Sequence, residues 1–403
     1  MQSPTVSIPN HVPAHLVRDI QFETLPGATD DPHKALRQLR DYPELFYAPR
    51  GHIGRGVWIP TRSRIIREAF QDAARFSSHQ NAGFSAMFGE AWPLIPLEID
   101  PPEHIKWRVL LNPLFTPAGV QKMEGKVRAR TVDLIEKVRG NGGCEFQKEF
   151  GGPFPISIFM ELVGLPMDLF DAFLSMEDGL LRGDAQTQAQ CARDIRDFMV
   201  EFINERSRHP QDDLASFIVN SQLDGRPLTM DEKQGILFLL FVAGLDTVAS
   251  ALGFLFRELA LDQTLQTRVR TQPEARANLI EEILRARTGI ASGRCATRDM
   301  EFYGVQIKKG DRFALSTTLA NLDEEEFGDP LDIDLDRQVN RHIAFAVGPH
   351  RCLGSHLARR ELRIALDEWL ERVPQFRVKD GERPKCSSGP VLGVTYLPLV
   401  WGS

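Results

Sequence analysis

Two stretches of the 403-residue chain hold residues whose types and spacing can do chemistry. The first is FAVGPHRCLG, Phe345 to Gly354, which sets Cys352 in a glycine-containing loop directly before the amphipathic run SHLARRELRIALDEWL. Backbone N–H groups at a helix start can hydrogen-bond a sulfur and lower its pKa, which favours the thiolate needed for nucleophilic attack or metal ligation. Gly348 and Gly354 let a flat ligand or a neighbouring backbone approach closely, and Phe345 can shield the sulfur from water. A lone cysteine is more often an inert core residue. The combination with Phe, two Gly and His350 sets this one apart. The second stretch is Ala243, Gly244, Leu245, Asp246 and Thr247, lying inside a strongly apolar segment. A carboxylate is costly to bury unless paired or hydrated, so Asp246 either has a polar partner or faces a wet cleft. An Asp-Thr pair in mid-helix commonly marks a solvated face or a back-bond to the previous turn. The apolar flanks weaken that reading here.

These residues need rigid elements to position them. The apolar pattern predicts one helix over Met230–Leu261, opened by Thr229 and Glu232 as a capping box. Its length of about 48 Å at roughly 1.5 Å per residue requires it to cross the centre of the protein. Helical periodicity also runs through Arg64 to Ala74, Gly119 to Val138, Met167 to Leu181, Ala192 to Arg208 and Pro273 to Arg287. LFYAPRGHIGRGVWIPT, Leu45 to Thr61, reads as a β-hairpin. Strands over Glu301 to Ile307 and Arg312 to Ser316 flank a turn at Lys308, Lys309 and Gly310. The expected fold is mainly α with minor β, a single domain over residues 1–403 with small β-rich regions near 45–61 and 290–320.

Composition narrows the function classes. With 42% hydrophobic and 26% charged residues, the chain is neither disordered, collagenous nor a coiled-coil rod. A net charge of -7 without a polybasic block argues against a nucleic-acid partner. The longest apolar run, Ile236 to Ala243, falls far short of the roughly 20 residues that span a bilayer, so no membrane partner is expected. The N-terminal stretch has no secretory pattern. Five cysteines, Cys144, Cys191, Cys295, Cys352 and Cys386, form no CxxC pair, which argues against a disulfide framework, a zinc ribbon or an iron–sulfur cluster. A cytoplasmic setting is expected.

The Cys stretch resembles the haem loop of the cytochrome P-450 haem-thiolate monooxygenases, matching at Phe345, Gly348, His350, Cys352 and Gly354, and departing at Ala346, where Gly is usual. Ala243, Gly244, Asp246 and Thr247 match the family's oxygen-activation motif. Glu282 and Arg285 match its Glu-x-x-Arg motif, with Arg337 as a third member of that network. DPPEHIKWR resembles the segment that supplies His104 and Arg108 to a haem propionate. The likeness spans residues 12–401, and HLARRE, GVQIKKGD and LPLVW are most similar to bacterial camphor hydroxylases. It implies a triangular-prism fold with haem b between the long central helix and the Cys-loop helix, and Cys352 as the iron ligand. In such proteins the thiolate pushes electron density onto iron and favours O–O cleavage.

Further roles follow from the resemblance. Arg108, Arg294, His104 and His350 are the implied propionate donors, with Ser292 where camphor-type enzymes carry an aspartate. Thr247 would orient oxygen and a water, and Asp246 would relay protons beside a locally widened helix at Ala243 and Gly244. The implied reaction takes R–H, O2, two electrons and two protons to R–OH and water. A haem sensor would have no use for Asp246 and Thr247, and a peroxide-driven peroxygenase would be expected to replace them. With no flavin or nicotinamide fingerprint in the chain, the electrons are expected from an iron–sulfur ferredoxin served by a flavin-dependent NAD(P)H reductase, docking near Arg67, Arg108, Arg341 and Arg351 on a monomer. The implied substrate pocket is Phe84, Trp92, Leu94, Leu97, Leu239, Val242, Ala243, Thr247, Gly289, Ile290, Pro390 and Val391. Trp92 in place of a Tyr, and Gly289 in place of a bulkier aliphatic, favour a small apolar terpenoid, with norisoprenoid ketones ahead of compact bicyclic monoterpenoid ones.

Overall fold

The apolar segment anticipated as one helix folds as one. In the computed structural model, which describes residues 8–79 and 92–402, Met230–Leu261 is a continuous α-helix of 32 residues. Thr229 Oγ1 accepts the Glu232 amide at 3.2 Å while the Glu232 carboxylate accepts the Thr229 amide at 2.8 Å, so the capping box satisfies two donors at once. At the far end Asp262 caps the next helix, Gln263–Thr271, by accepting the Thr264 and Leu265 amides.

The central helix serves two cores in turn. Ile236, Leu237, Phe238, Phe241 and Leu245 pack with Ile156, Phe159 and Met160 of the helix Pro153–Val163. Val248, Leu252, Phe254, Phe256 and Leu259 join a second core that includes Phe146, Phe150 and Trp369. Burying a side chain of this size contributes roughly 1.5–3 kcal/mol, so both halves of the helix are anchored. The handover between cores falls at Asp246 and Thr247. By length and composition the helix could cross a membrane, yet more than half of its most apolar stretch lies inside the protein. That burial accounts for its composition.

The other periodic segments appear as Ser63–Gln71, Pro117–Val138, Phe170–Arg182, Ala185–Arg208 and Ala275–Arg287, with ends displaced by at most three residues except that Ala185–Arg208 starts seven residues earlier than expected. Pro153–Val163 gave no periodic signal because nearly every side of it is buried.

The hairpin expected at residues 45–61 is Leu45–His52 paired with Arg55–Pro60, two strands of a five-stranded sheet. Arg312–Ser316 runs parallel to the second of them and antiparallel to Ala291–Ala296, which carries Ser292 and Arg294. One expectation needs correcting. Glu301 to Ile307 is not a single strand but a hairpin, Met300–Phe302 against Val305–Ile307. Tyr303 and Gly304 turn the chain with φ of 50° and 75°. Two successive left-handed residues are what a tight hairpin requires, and a Tyr in the first place hid the signal usually carried by Asn or Asp.

Candidate active site

The loop around Cys352 is built by short backbone hydrogen bonds. The Cys352 amide donates to the Phe345 carbonyl at 2.9 Å, Arg351 to Gly348 at 3.1 Å and Ala346 to Ile343 at 2.8 Å. Gly348 adopts φ 78°, and a Cβ there would lie 2.5 Å from the Phe70 carbonyl oxygen, so its smallness seats the loop on the end of Ser63–Gln71. A Cβ on Gly354 would meet nothing within 4 Å, leaving an open approach beside the cysteine. Ala346, at the position where glycine is usual, holds a glycine-type φ of 54°. The loop therefore keeps its path at a conformational cost of about 1–2 kcal/mol.

Cys352 is the one exposed cysteine of the five. The chain around it still removes enough water to push its pKa above the ordinary thiol value, opposed by the Gly354 N–H and the guanidiniums of Arg108, Arg351 and Arg359. A coordinating metal cation removes a thiol proton outright, so this sulfur suits an iron ligand.

Four nitrogen-bearing side chains gather beside the loop. The rings of His104 and His350 stand 4.2 Å apart. His104 Nδ1 and Nε2 and His350 Nε2 are buried without a hydrogen-bond partner. Arg294 is 3% exposed and donates to Ser292 Oγ at 3.1 Å and to the Gly293 carbonyl at 2.7 Å. Among the described residues no carboxylate pairs with it. Burial pulls Arg294 down to about 10. His104 falls to about 4 through burial and the charges of Arg108 and Arg294, and His350 to about 3 through burial and the charge of Arg294. Ser292 offers Arg294 an oxygen but no charge. Arg108 donates to the Arg351 carbonyl at 2.8 Å. Buried donors lacking anionic partners fit a ligand that brings its own carboxylates, as the two propionates of haem do.

A cavity of about 1240 Å³ adjoins Arg294 and Ser292. That exceeds the roughly 300–1,000 Å³ of an ordinary small-molecule site. Leu97, Val242, Thr247, Ile290, Pro390 and Val391 line it as expected, together with Asp246. Asp246 therefore meets the cavity and is not without a partner. Residues 290 and 391 form a β-bridge and the Ala291 amide donates to Pro390 at 2.8 Å, which ties two walls together. Leu174, Ser250 and Phe313 also contribute; Leu174 and Phe313 come from elements with no local motif, and Ser250 lies one turn beyond the motif on the central helix.

Several expected pocket residues lie elsewhere. Trp92 is 5% exposed and meets the Phe238 ring edge-on at 5.5 Å, inside the core that also takes Leu94. Leu239 packs against the same core. Gly289 opens no space in the cavity, because a Cβ there would meet Thr318 Oγ1 at 2.2 Å. Its smallness instead lets the backbone close on the helix Thr317–Asn321. Ala243 and Gly244 are exposed on the central helix but do not line the cavity. Phe84 lies outside the described residues. The implied local widening of the helix is also absent; the helix is α throughout, and the Thr247 hydroxyl donates to the Ala243 carbonyl at 2.9 Å.

Behind the loop, Glu282 binds Arg285 at 2.7 Å and Arg337 at 2.9 Å, and it accepts the Asn340 amide group at 2.9 Å and the Asp334 N–H at 2.9 Å. Glu282 and Arg285 are 1% and 0% exposed and line no part of the cavity, so this network holds the segment leading into the Cys loop. On the surface, Arg67 pairs with Glu326 at 2.9 Å and touches the Arg341 carbonyl, while Arg341 and Arg351 are exposed. The four arginines thus form two contacting pairs, and one member already has a carboxylate.

Comparison with known proteins gives the same reading. The family model described as cytochrome P-450 matches residues 156–274 and 277–398. A protein of Sinorhizobium fredii named probable cytochrome P-450 127A1 is 41% identical over 404 residues, covering 98% of this chain and 97% of that protein. Cytochrome P-450 109 of Bacillus spizizenii is 32% identical over 75% of this chain and 78% of its own. Among solved structures, CYP101C1 superimposes with a TM-score of 0.90 and CYP101J2 with 0.88, each 33% identical over 98% of this chain and 100% of theirs. The chain belongs to the cytochrome P-450 family of haem-dependent monooxygenases.

Proposed function

We propose that this protein hydroxylates an unactivated C–H bond of a small apolar terpenoid, a norisoprenoid or monoterpenoid ketone, using O2 and two electrons from an iron–sulfur ferredoxin. The observation that carries the reading is the wall of Leu97, Val242, Ile290, Pro390 and Val391 facing the same cavity as Asp246 and Thr247. An aliphatic wall recognises carbon skeletons, and the acid–alcohol pair supplies protons. The likeness to CYP101C1 and CYP101J2 supports the same class.

Cys352 would ligate the haem iron, and Arg294, Arg108, His104 and His350 would hold its propionates. When bound, the thiolate-ligated haem supplies oxygen activation. The chain's own residues do the rest. The Thr247 hydroxyl donates its hydrogen bond to the Ala243 carbonyl, which leaves the hydroxyl oxygen's lone pairs to accept a hydrogen bond and hold a water in place. Asp246 takes protons from solvent and passes them on, two for each turnover. The aliphatic wall excludes bulk water and fixes one C–H bond in reach. The sum is R–H, O2, two electrons and two protons to R–OH and H2O.

The ferredoxin, reduced by a flavin-dependent NAD(P)H reductase, would dock on Arg67, Arg108, Arg341 and Arg351. A cytoplasmic monomer with no nucleic-acid or membrane partner fits the mildly acidic composition. Spectral titration tests the reading. With Trp92 in a core and Gly289 closed on by Thr318, the expected preference for norisoprenoid over bicyclic ketones loses its basis, so an ionone-type ketone and camphor should each displace the ferric iron's water and shift its spin state, and no response to any terpenoid would refute the substrate class. Replacing Cys352 with His should abolish the strongly red-shifted band of the reduced carbon monoxide complex. An unchanged band would refute the ligand.

A further inference from the structure

Three guanidiniums act on Cys352, those of Arg108, Arg351 and Arg359. Among the described residues no carboxylate pairs with the first two. Arg359 differs. It lies on the helix Ser355–Arg372, and its guanidinium carbon stands 4.6 Å over the ring of Phe345, the residue whose carbonyl accepts the Cys352 amide. Glu281 grips it from the helix Ala275–Arg287 with two hydrogen bonds of 2.6 and 2.9 Å.

Glu281 also reaches the other end of the loop. One of its oxygens lies 2.9 Å from His342 Nε2, and His342 Nδ1 accepts the Ala344 amide at 3.1 Å. Because Nδ1 accepts, the ring is neutral and its proton sits on Nε2, donated to Glu281. The imidazole adds no charge. One carboxylate therefore ties the start of the loop to the helix that follows it, with Phe345 between, and cancels one of the three positive charges near the sulfur. Glu281 adjoins Glu282 in sequence yet takes no part in the Arg285 and Arg337 network.

We propose that Glu281 is a positioning residue that sets the reduction potential of the Cys352-ligated iron, by holding Arg359 over Phe345 and compensating its charge. A positive charge beside a redox centre favours the reduced state, so the arrangement keeps the potential lower than Arg359 alone would. The proposal rests on Cys352 being the iron's ligand.

The test is the midpoint potential of the haem-loaded protein, read together with the carbon monoxide band. Glu281→Gln leaves the Arg359 charge uncompensated and should raise the reduced-to-oxidised ratio at a given potential at least threefold. That corresponds to about 28 mV at 59 mV per tenfold for a one-electron couple. Arg359→Gln leaves the carboxylate and should move the ratio the opposite way. Glu281→Asp, which keeps the charge, should return the potential toward that of the unmodified protein. Shifts of the same sign in Glu281→Gln and Arg359→Gln, or none in either, would overturn the role of Glu281. Absence of the red-shifted band in the unmodified protein would instead overturn the ligand itself.

Discussion

The Cys352 amide donates to the Phe345 carbonyl across the loop at 2.9 Å, so the two ends of the loop are held as one unit. Between them the chain must turn sharply, and it does so with left-handed residues at Ala346 and Gly348. Gly348 is confined by Phe70 and cannot change, whereas Ala346 carries strain that a glycine would relieve.

Ala346→Gly should therefore stabilise the protein. Relief of the left-handed alanine is worth about 1–2 kcal/mol, partly offset by the greater freedom of glycine in the unfolded chain, about 0.4–1 kcal/mol. A rise in the unfolding midpoint on thermal or urea denaturation is the expected result. A fall would show that the methyl group makes a packing contact that outweighs its strain.

Thr247→Ala removes the hydroxyl that lines the cavity and leaves the helix intact, since among the described residues the hydroxyl bonds only back to Ala243 within its own turn. Nicotinamide consumption should continue while a large share of the electrons leaves as hydrogen peroxide, because proton delivery loses its guide. Measuring peroxide against hydroxylated product checks this. Full coupling in the variant would assign proton delivery to another residue.

Arg351 is exposed, and no carboxylate pairs with it among the described residues. Reversing its charge should raise the apparent KM for the electron donor about tenfold and flatten its dependence on salt, with little change in substrate binding. The steady-state rate against donor concentration at two ionic strengths measures both. Arg67 provides the contrast: its pairing with Glu326 predicts a weaker effect there.

What was legible in the sequence was local. The Cys loop is a run of ten residues whose glycines, histidine and cysteine are adjacent in the chain, and the central helix announces itself through its cap and apolar pattern. Pocket membership is not local. Trp92 and Gly289 hold positions implied by resemblance, but Phe238 draws one into a core and Thr318 closes on the other, and neither partner is near in sequence. Pro153–Val163 was invisible for the opposite reason, having almost no polar face to create a period. Glu281 carried no sequence signal of its own, because its partners Arg359 and His342 lie more than sixty residues away.

Glu361 lies on the buried side of the helix Ser355–Arg372 at 5% exposure. Burial alone pushes its carboxyl up to about 8 from an ordinary value of 4.5. In the folded protein the group stays neutral across a range where the unfolded chain ionises it. Stability attached to Glu361 is thus fully present below pH 4.5 and is lost progressively as pH rises toward 8, because the unfolded state releases a proton that the folded state retains. Other groups oppose this trend. Glu281 is held down at about 2 and His104 at about 4, and both favour the folded state as pH rises out of the acid range. The sign is therefore read from a difference. Glu361→Gln keeps the shape and cannot ionise, so its unfolding midpoint should exceed that of the unmodified protein by a margin that widens from pH 5 to pH 8, at about 1.4 kcal/mol for each unit of pKa displacement. A margin that stays constant over that range would mean that Glu361 is ionised in the folded protein and is stabilised by solvent reaching it.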